Sequence, residues 1–252
     1  MAGGAGDSRS VAERLFAILD AFDRIGTGTL TLSEIAGSAR LPLSTTHRLV
    51  DRLVNWGGLE RIDGEYRVGL KLWRLGTRHP APGALRQVAL PYLEDLFELT
   101  RQNVMVAVRD GLAALYLERL TARNSVNVVA DVGRRLPLHA TGVGLVLLAY
   151  AGPEVLAEVL AANPRKYLPG TMTTEDELRR RLADVRAAGL ALTRDEMTAG
   201  ASSVAAPVRN DSGEVVAALS IIVPSDAPVD PRYELAVRLA ANGISRDLGW
   251  RR

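Results

Sequence analysis

Apolar residues recur every three or four positions along the first part of the chain, which predicts a series of short amphipathic helices. The first covers residues 10–25, and the Gly-Thr-Gly run at 26–28 ends it. Thr31 and Glu34 have the spacing of a capping box and open a second helix that reaches about residue 39. A third helix follows, capped by Ser44 and ended near residue 56 by two glycines.

The pattern then changes to two short runs on either side of Asp63-Gly64. Asp-Gly between partly apolar runs is a strong hairpin signal, so strands are predicted at 59–62 and 65–68. A short helix is predicted within 69–78. Helix, helix, tight turn, helix and hairpin is the order of a winged helix-turn-helix.

A proline-rich segment at 79–83 interrupts the pattern and predicts a domain boundary. The helix after it, about 84–101, is interpreted as a connector and dimerisation element. Strands are then predicted at 104–109, 114–119, 125–130, 190–194, 203–209 and 215–223, and helices at 142–151, 153–161, 174–188 and 231–248. This order is typical of an α+β domain with a largely antiparallel sheet. The predicted domains are a winged helix-turn-helix domain at 8–78, a linker helix at 79–101 and a C-terminal α+β domain at 102–250.

Composition narrows the possible functions. The 252 residues suit two domains, and the absence of cysteine excludes disulfides, thiolate metal sites and a cysteine nucleophile. Residues 1–7 have no signal-peptide character, and no apolar run is long enough to span a bilayer, so we expect a cytoplasmic protein without a membrane partner. The net charge is +2, and residues 1–80 hold 11 Lys and Arg against 9 Asp and Glu, so the excess lies in the first third.

The third helix has two different faces. Leu49, Val50, Leu53 and Val54 are predicted to pack inward, and the opposite face carries Ser44, Thr45, Thr46, Arg48 and Arg52. Short hydroxyls near a helix N-terminus, followed by arginines, can contact base edges and phosphates of double-stranded DNA. Arg61 and Arg67 on the hairpin would reach the adjacent DNA backbone. A winged helix can also serve as a protein–protein module, but the complete order of elements favours DNA binding.

Six different short motifs follow one another over nearly the whole chain. They lie at residues 31–36, 41–49, 66–69, 136–144, 203–208 and 213–220. Together they resemble the IclR-type transcriptional regulators. The resemblance implies a GAF-like effector-binding domain after the winged helix, a palindromic operator, and a homodimer or dimer of dimers. Leu43 stands where that family commonly has lysine, and this change removes one phosphate contact.

The resemblance also implies an effector pocket formed by Gly142, Val143, Ser203, Ser220 and Ile222. The residues themselves suggest a helix that starts near Thr141, so that backbone N–H groups of Gly142 and Val143 can bind a carboxylate. Ile222, often serine in relatives that bind very small acids, favours an aromatic or otherwise less polar acid. The same small residues are also compatible with simple packing of a sheet.

Other candidate groups give weaker indications of a functional role. A lone His139 is interpreted as structural, and Asp195 with Glu196 as part of a loop or a contact that closes the pocket. Residues 142–144 have a single Gly-x-Gly without a P-loop lysine, so neither a nucleotide nor another cofactor is expected. Three scattered histidines do not predict a metal site.

We therefore expect a DNA-binding regulator, a repressor in preference to an activator, that is controlled by a small organic acid. Two alternatives stay open at this point. The C-terminal domain has only an oligomerising role in one of them. In the other, the chain is an enzyme with a winged-helix attachment module, although no catalytic residues are identified.

Overall fold

The structure is a computed structural model that describes residues 9–25, 28–78, 80–226 and 228–251. These residues form two compact units that divide after Pro80. The predicted glycine-rich end of the first helix at 26–27 lies outside the described residues, as does His79. None of the helices in the described part of the chain has the length and apolar character needed to cross a membrane.

The first unit has the predicted order of elements. Its helices and strands are α1 (Val11–Ile25), α2 (Leu32–Ala39), α3 (Leu43–Trp56), β1 (Leu59–Ile62), β2 (Glu65–Val68) and α4 (Leu70–Gly76). Ile18, Ile35 and Leu49 bury one side of each of the first three helices in a shared core. Leu30 and Tyr66 exchange two backbone hydrogen bonds of 2.8 Å, which attach the segment before α2 to the hairpin.

The predicted signals at helix and strand ends that fall on described residues of this unit are confirmed, with one exception. Thr31 and Glu34 form the predicted capping box. Asp63 and Gly64 have φ values of 49° and 88°, the left-handed pair that a two-residue hairpin turn requires. The prediction that Ser44 caps α3 is wrong. The helix begins at Leu43, two residues earlier than a Ser44 cap implies, Pro42 is its N-cap, and Ser44 lies in the first turn.

The second unit is a six-stranded antiparallel sheet with helices on both faces, which confirms the α+β class. Its strands are β3 (Asn103–Asp110), β4 (Ala113–Leu120), β5 (Arg135–Pro137), β6 (Ala191–Arg194), β7 (Ala201–Arg209) and β8 (Val215–Pro224), in the spatial order β5-β4-β3-β8-β7-β6. Its helices are α5 (Pro80–Thr100), α6 (Gly142–Ala149), α7 (Pro153–Ala161), α8 (Glu175–Ala188) and α9 (Pro231–Asp247). Helices α5 and α9 share one core with the sheet, and α6, α7 and α8 share the other.

Two predictions for this unit are wrong. Residues 125–130 are not a strand but part of the loop after β4, which is tied down where Asn103 Nδ2 donates to the Val126 carbonyl at 2.8 Å. The helix predicted at about 84–101 begins earlier than expected, because α5 already starts at Pro80. Proline is tolerated there because the N–H groups of a first helical turn have no intrahelical partner.

Helix α5 is an integral part of the second unit. Leu85, Ala89 and Leu93 are buried and belong to the core formed with α9 and the sheet. This packing assigns α5 to the second unit, as the division after Pro80 also does. The residue limits predicted for a separate linker, 79 and 101, stay predictions.

Candidate DNA-binding surface and effector pocket

The exposed side of α3 carries polar and basic residues one helical turn apart. Ser44, Arg48 and Arg52 are exposed at successive steps of four, which places them on one face, and Thr45 beside them is half-buried. Within the described part of the chain, neither Arg48 nor Arg52 is engaged in an ion pair. The face therefore presents two uncompensated cations behind a hydroxyl.

Thr46 does not belong to this face, and its predicted exposure is wrong. The residue is fully buried, and its Oγ1 donates to the Pro42 carbonyl at 3.1 Å. Thr46, Val50 and Leu53 follow the i, i+4, i+7 spacing of the inward stripe. The helical spacing alone places Thr46 on the buried side of α3. The prediction of an exposed Thr46 gave more weight to its hydroxyl group than to this spacing.

The hairpin arginines have different surroundings. Arg67 donates from Nε and Nη2 to Oε2 of Glu60 at 2.9 and 2.8 Å, directly across the two strands. The Leu70 backbone N–H and Arg67 hold the pKa of the Glu60 carboxyl below its ordinary value. Arg61 is exposed, and its guanidinium lies 5.8 Å from the ring centroid of Tyr66. Arg61 is thus the hairpin cation that no carboxylate compensates among the described residues.

The second unit contains a pocket whose wall includes all five residues named as effector contacts, Gly142, Val143, Ser203, Ser220 and Ile222. The first two open helix α6. Ser203 on β7 lies directly opposite Ile222 on β8, and Ser220 is two residues away on the same side of the sheet. The pocket is thus bounded by a helix N-terminus and the centre of a sheet.

The close approach of α6 to β7 depends on Gly142. A Cβ at this position would lie 2.3 Å from Ser203 Oγ, so any larger residue requires the Ser203 hydroxyl to move. Thr141 is the N-cap, and its Oγ1 accepts the N–H of Gly144 at 3.1 Å. The N–H groups of Gly142 and Val143 also lie in the first turn, where helix geometry provides no intrahelical acceptor.

Sequence reasoning missed a large part of the pocket wall. The omitted residues are Tyr116, Val128, Val129, Ala130, Leu136, Ala140, Thr141, Thr193, Met197, Thr198, Ala201 and Ser202. Thr193 faces Ser203 across β6 and β7, and their hydroxyl oxygens are 2.6 Å apart. The pairing register that brings them together cannot be obtained from sequence spacing, although the alternation of β7 was available as a signal.

The loop after β6 turns one acidic side chain into the protein. Asp195 has a φ of 51°, and its carboxylate accepts hydrogen bonds from the Gly200 N–H and the Ser225 hydroxyl. Glu196 is only 3% exposed and lines the pocket, as the contact-closing interpretation expected. Burial raises the pKa of Glu196 to about 7, and the opposing charge of Arg181 and the backbone N–H of Arg194 limit the rise.

Two further titratable groups near the pocket have structural partners. His139 Nε2 lies 2.9 Å from the Arg165 carbonyl, and burial lowers the pKa of this histidine. Burial raises the pKa of Tyr116, and a hydrogen bond with the Thr141 side chain opposes that rise. Both observations agree with positioning rather than proton transfer.

Two features of the structure together define a class of protein. The first unit is a winged helix-turn-helix with an exposed basic helix, and the second unit is built around a pocket with hydroxyl and backbone donors. These are the parts of a transcriptional regulator that combines a DNA-binding domain with an effector-binding domain.

Comparisons with known proteins identify the family. The IclR helix-turn-helix domain matches residues 11–63, and the bacterial transcriptional regulator IclR C-terminal domain matches residues 83–246. The chain therefore belongs to the IclR family of bacterial transcriptional regulators, and it is a DNA-binding regulator rather than an enzyme.

Individual relatives agree with this assignment. The HTH-type transcriptional repressor AllR of Salmonella typhimurium is 33% identical over 244 residues, which cover 94% of this chain and 89% of AllR. An IclR homolog from Microbacterium hydrocarbonoxydans, whose crystal structure contains 4-hydroxybenzoate, is 41% identical with a TM-score of 0.86 and covers 95% of this chain and 99% of that one. The Thermotoga maritima IclR structure is 27% identical, with a TM-score of 0.72 and coverages of 95% and 98%.

Proposed function

We propose that this regulator is a repressor whose binding to a palindromic operator is controlled by an aromatic acid held in the pocket of the second unit. The observation that carries the proposal is the composition of the pocket wall. It combines a helix N-terminus and hydroxyl groups with the apolar side chain of Ile222. The similar protein from Microbacterium hydrocarbonoxydans contains 4-hydroxybenzoate, an acid of this class.

The DNA contacts in this proposal come from the exposed face of α3 and from the hairpin. Ser44, Thr45, Arg48 and Arg52 enter the major groove, and Arg61 reaches the neighbouring phosphates. Arg67 contributes only if it shares its charge between a phosphate and Glu60. Thr46 supports α3 from the inside instead of contacting DNA.

The effector contacts follow from the chemistry of the pocket wall. The N–H groups of Gly142 and Val143 bind the carboxylate, since a helix N-terminus favours an anion. The Ser203 and Ser220 hydroxyls donate further hydrogen bonds, and Ile222 packs against the ring. A pocket with one apolar wall and a few placed polar groups is typical of a small-molecule site.

The oligomer in this proposal is a homodimer or a dimer of dimers, because twofold symmetry pairs two recognition helices on a palindrome. Leu70 and Trp73 on α4 are 71% and 67% exposed and three residues apart, which gives α4 an apolar side suited to a second copy. Since its target is chromosomal DNA, we place the regulator in the cytoplasm.

The DNA-binding part is tested by fluorescence anisotropy with the intergenic DNA upstream of the gene. Arg48→Ala is expected to weaken binding and to lower the slope of log affinity against log salt by about 0.9, the value for one phosphate contact. Arg180→Ala removes an exposed arginine of α8 in the second unit and is the matched control. Equal affinities and slopes for the two variants would refute the placement of the DNA surface.

The effector part is tested by titrating 4-hydroxybenzoate into the same protein–DNA complex and by thermal shift without DNA. A ligand at about 100 times its dissociation constant stabilises the folded protein by about 2.7 kcal/mol. Ser220→Val is expected to abolish the response to the acid while operator affinity stays unchanged. If aromatic acids changed neither stability nor operator binding, the proposed effector class would be wrong.

A further inference from the structure

The carboxylate of Glu196, in the pocket wall, has a hydrogen-bond partner for only one of its two oxygens in the part of the chain that the structure describes. Arg181 Nη2 donates to Oε1 of Glu196 at 3.0 Å, and Arg181 Nη1 donates to the Leu192 carbonyl at 2.9 Å. The other carboxylate oxygen, Oε2, is buried and has no hydrogen-bond partner among the described residues. A buried acceptor without a partner costs free energy, and native proteins rarely retain one.

The position of this oxygen indicates what would satisfy it. Glu196 lines the same pocket as Gly142 and Ser203, so a molecule held there is the available partner. Arg181 fixes the carboxylate through Oε1 and leaves Oε2 as the oxygen open to a ligand. Because an ionised carboxylate only accepts hydrogen bonds, the ligand must present an N–H or O–H group to it.

We propose that Glu196 is a specificity-determining residue that accepts a hydrogen bond from a donor on the effector. The proposal rests on the proposed function, which binds the effector carboxylate at the N-terminus of α6. It narrows the effector class to aromatic acids that carry a second polar group, a phenolic hydroxyl or an amino group. An acid without a donor leaves Oε2 unpaired and binds less tightly.

The groups around Glu196 indicate how the preference for donor-bearing acids depends on pH. Arg181 on α8 is the cation that faces Glu196, and Tyr116 on β4 is the other titratable residue of the described pocket wall. Burial raises the pKa of Tyr116 further above its ordinary value of 10, so this phenol stays neutral up to pH 8. Glu196, with a pKa of about 7, is the group that changes charge between pH 6 and pH 8. The preference for donor-bearing acids therefore grows over this range.

The test is isothermal titration calorimetry of the full chain with 4-hydroxybenzoate and with benzoate, which differ only in the donor. Wild type is expected to prefer 4-hydroxybenzoate about tenfold at pH 8, the value of one hydrogen bond to a charged group, and less at pH 6. Glu196→Leu is expected to bind both acids with equal affinity. Met197→Leu changes the neighbouring pocket residue with little change in volume and is expected to keep the preference.

The outcomes separate this proposal from the proposed function. Equal affinity of wild type for the two acids would overturn the role of Glu196 and leave the aromatic-acid pocket intact. A preference that stayed constant between pH 6 and pH 8 would also overturn it, because ionisation of Glu196 would then have no effect on recognition of the donor. If neither acid bound, the proposed effector class would fail together with the role of Glu196. If Glu196→Leu failed to fold, the pH dependence of the wild-type preference would still decide.

Discussion

Replacing Gly142 by alanine tests the packing on which the pocket depends. The added Cβ would lie 2.3 Å from Ser203 Oγ, and its next contacts, with the Cβ atoms of Ala205 and Ser203, would be an ordinary 3.4 Å. The clash is therefore with one hydroxyl, which can rotate away. Doing so breaks its 2.6 Å hydrogen bond with Thr193.

The cost can be worked out from these contacts. A lost hydrogen bond costs about 1 kcal/mol, and overpacking of a filled site costs about 1–3 kcal/mol in total. We expect Gly142→Ala to lower the free energy of unfolding by about 1–3 kcal/mol. Ser203→Ala should cost about 1 kcal/mol through the same lost hydrogen bond. In the double variant the clashing oxygen is gone, so its cost should stay close to that of Ser203→Ala alone.

The assay is urea unfolding at one protein concentration, since oligomerisation makes stability concentration-dependent. A double-mutant cycle should show a coupling of about 1 kcal/mol or more between the two positions. Gly83→Ala on α5 is the control, because its Cβ would meet nothing within 4 Å, and it should stabilise by about 0.5–1 kcal/mol. Strictly additive costs for Gly142→Ala and Ser203→Ala would refute the close contact between α6 and β7.

Three further predictions follow from single contacts. Thr46→Val should lower the free energy of unfolding by about 1 kcal/mol, because the hydrogen bond to the Pro42 carbonyl is lost. Operator affinity in the anisotropy assay should not change. Weaker DNA binding at unchanged stability would instead indicate that Thr46 contacts DNA directly. Gly69→Ala would place a Cβ 2.4 Å from the Gly57 carbonyl oxygen, a backbone atom that cannot rotate away. Urea unfolding should therefore show a free energy of unfolding lower by about 1–3 kcal/mol. Wild-type stability of this variant would contradict the contact. Because the pKa of Glu196 is raised from 4.5 to about 7 by burial, its contribution to stability is fully present below pH 4.5 and is lost as pH rises through 7. Urea titrations should therefore show wild type losing stability relative to Glu196→Gln between pH 4.5 and 7, and parallel profiles for the two proteins would argue against the raised pKa.

Sequence alone predicted the elements that depend on short-range signals. The capping box at Thr31 and Glu34 and the turn at Asp63-Gly64 are set by residues within four positions of one another, and both are confirmed. The antiparallel sheet was predicted from the order of strands and helices along the chain, and the structure adds the short strand β5 at its edge. Segment 125–130 has the composition of a strand, but tertiary contacts such as that of Asn103 hold it as a loop.

The pocket shows where sequence reasoning stops. All five effector positions were named, and the structure brings them into one wall, while their binding role stays a proposal. Thr193 was not assigned as a contact because its place in the wall depends on the register of β6 against β7. Thr46 was misplaced because a hydroxyl was given more weight than the helical spacing that buries it.

Strands β7 and β8 have different neighbours on their two faces, and this limits how the protein can respond to an effector. Ser203 and Ile222 form the floor of the pocket, while the residues next to them, Val204 and Ile221, belong to the core shared with α5. A sheet this tightly filled cannot change on one face alone, since interiors transmit strain instead of absorbing it. An effector that alters the spacing of these two strands must therefore also repack α5, the helix from which the chain continues back towards the DNA-reading domain.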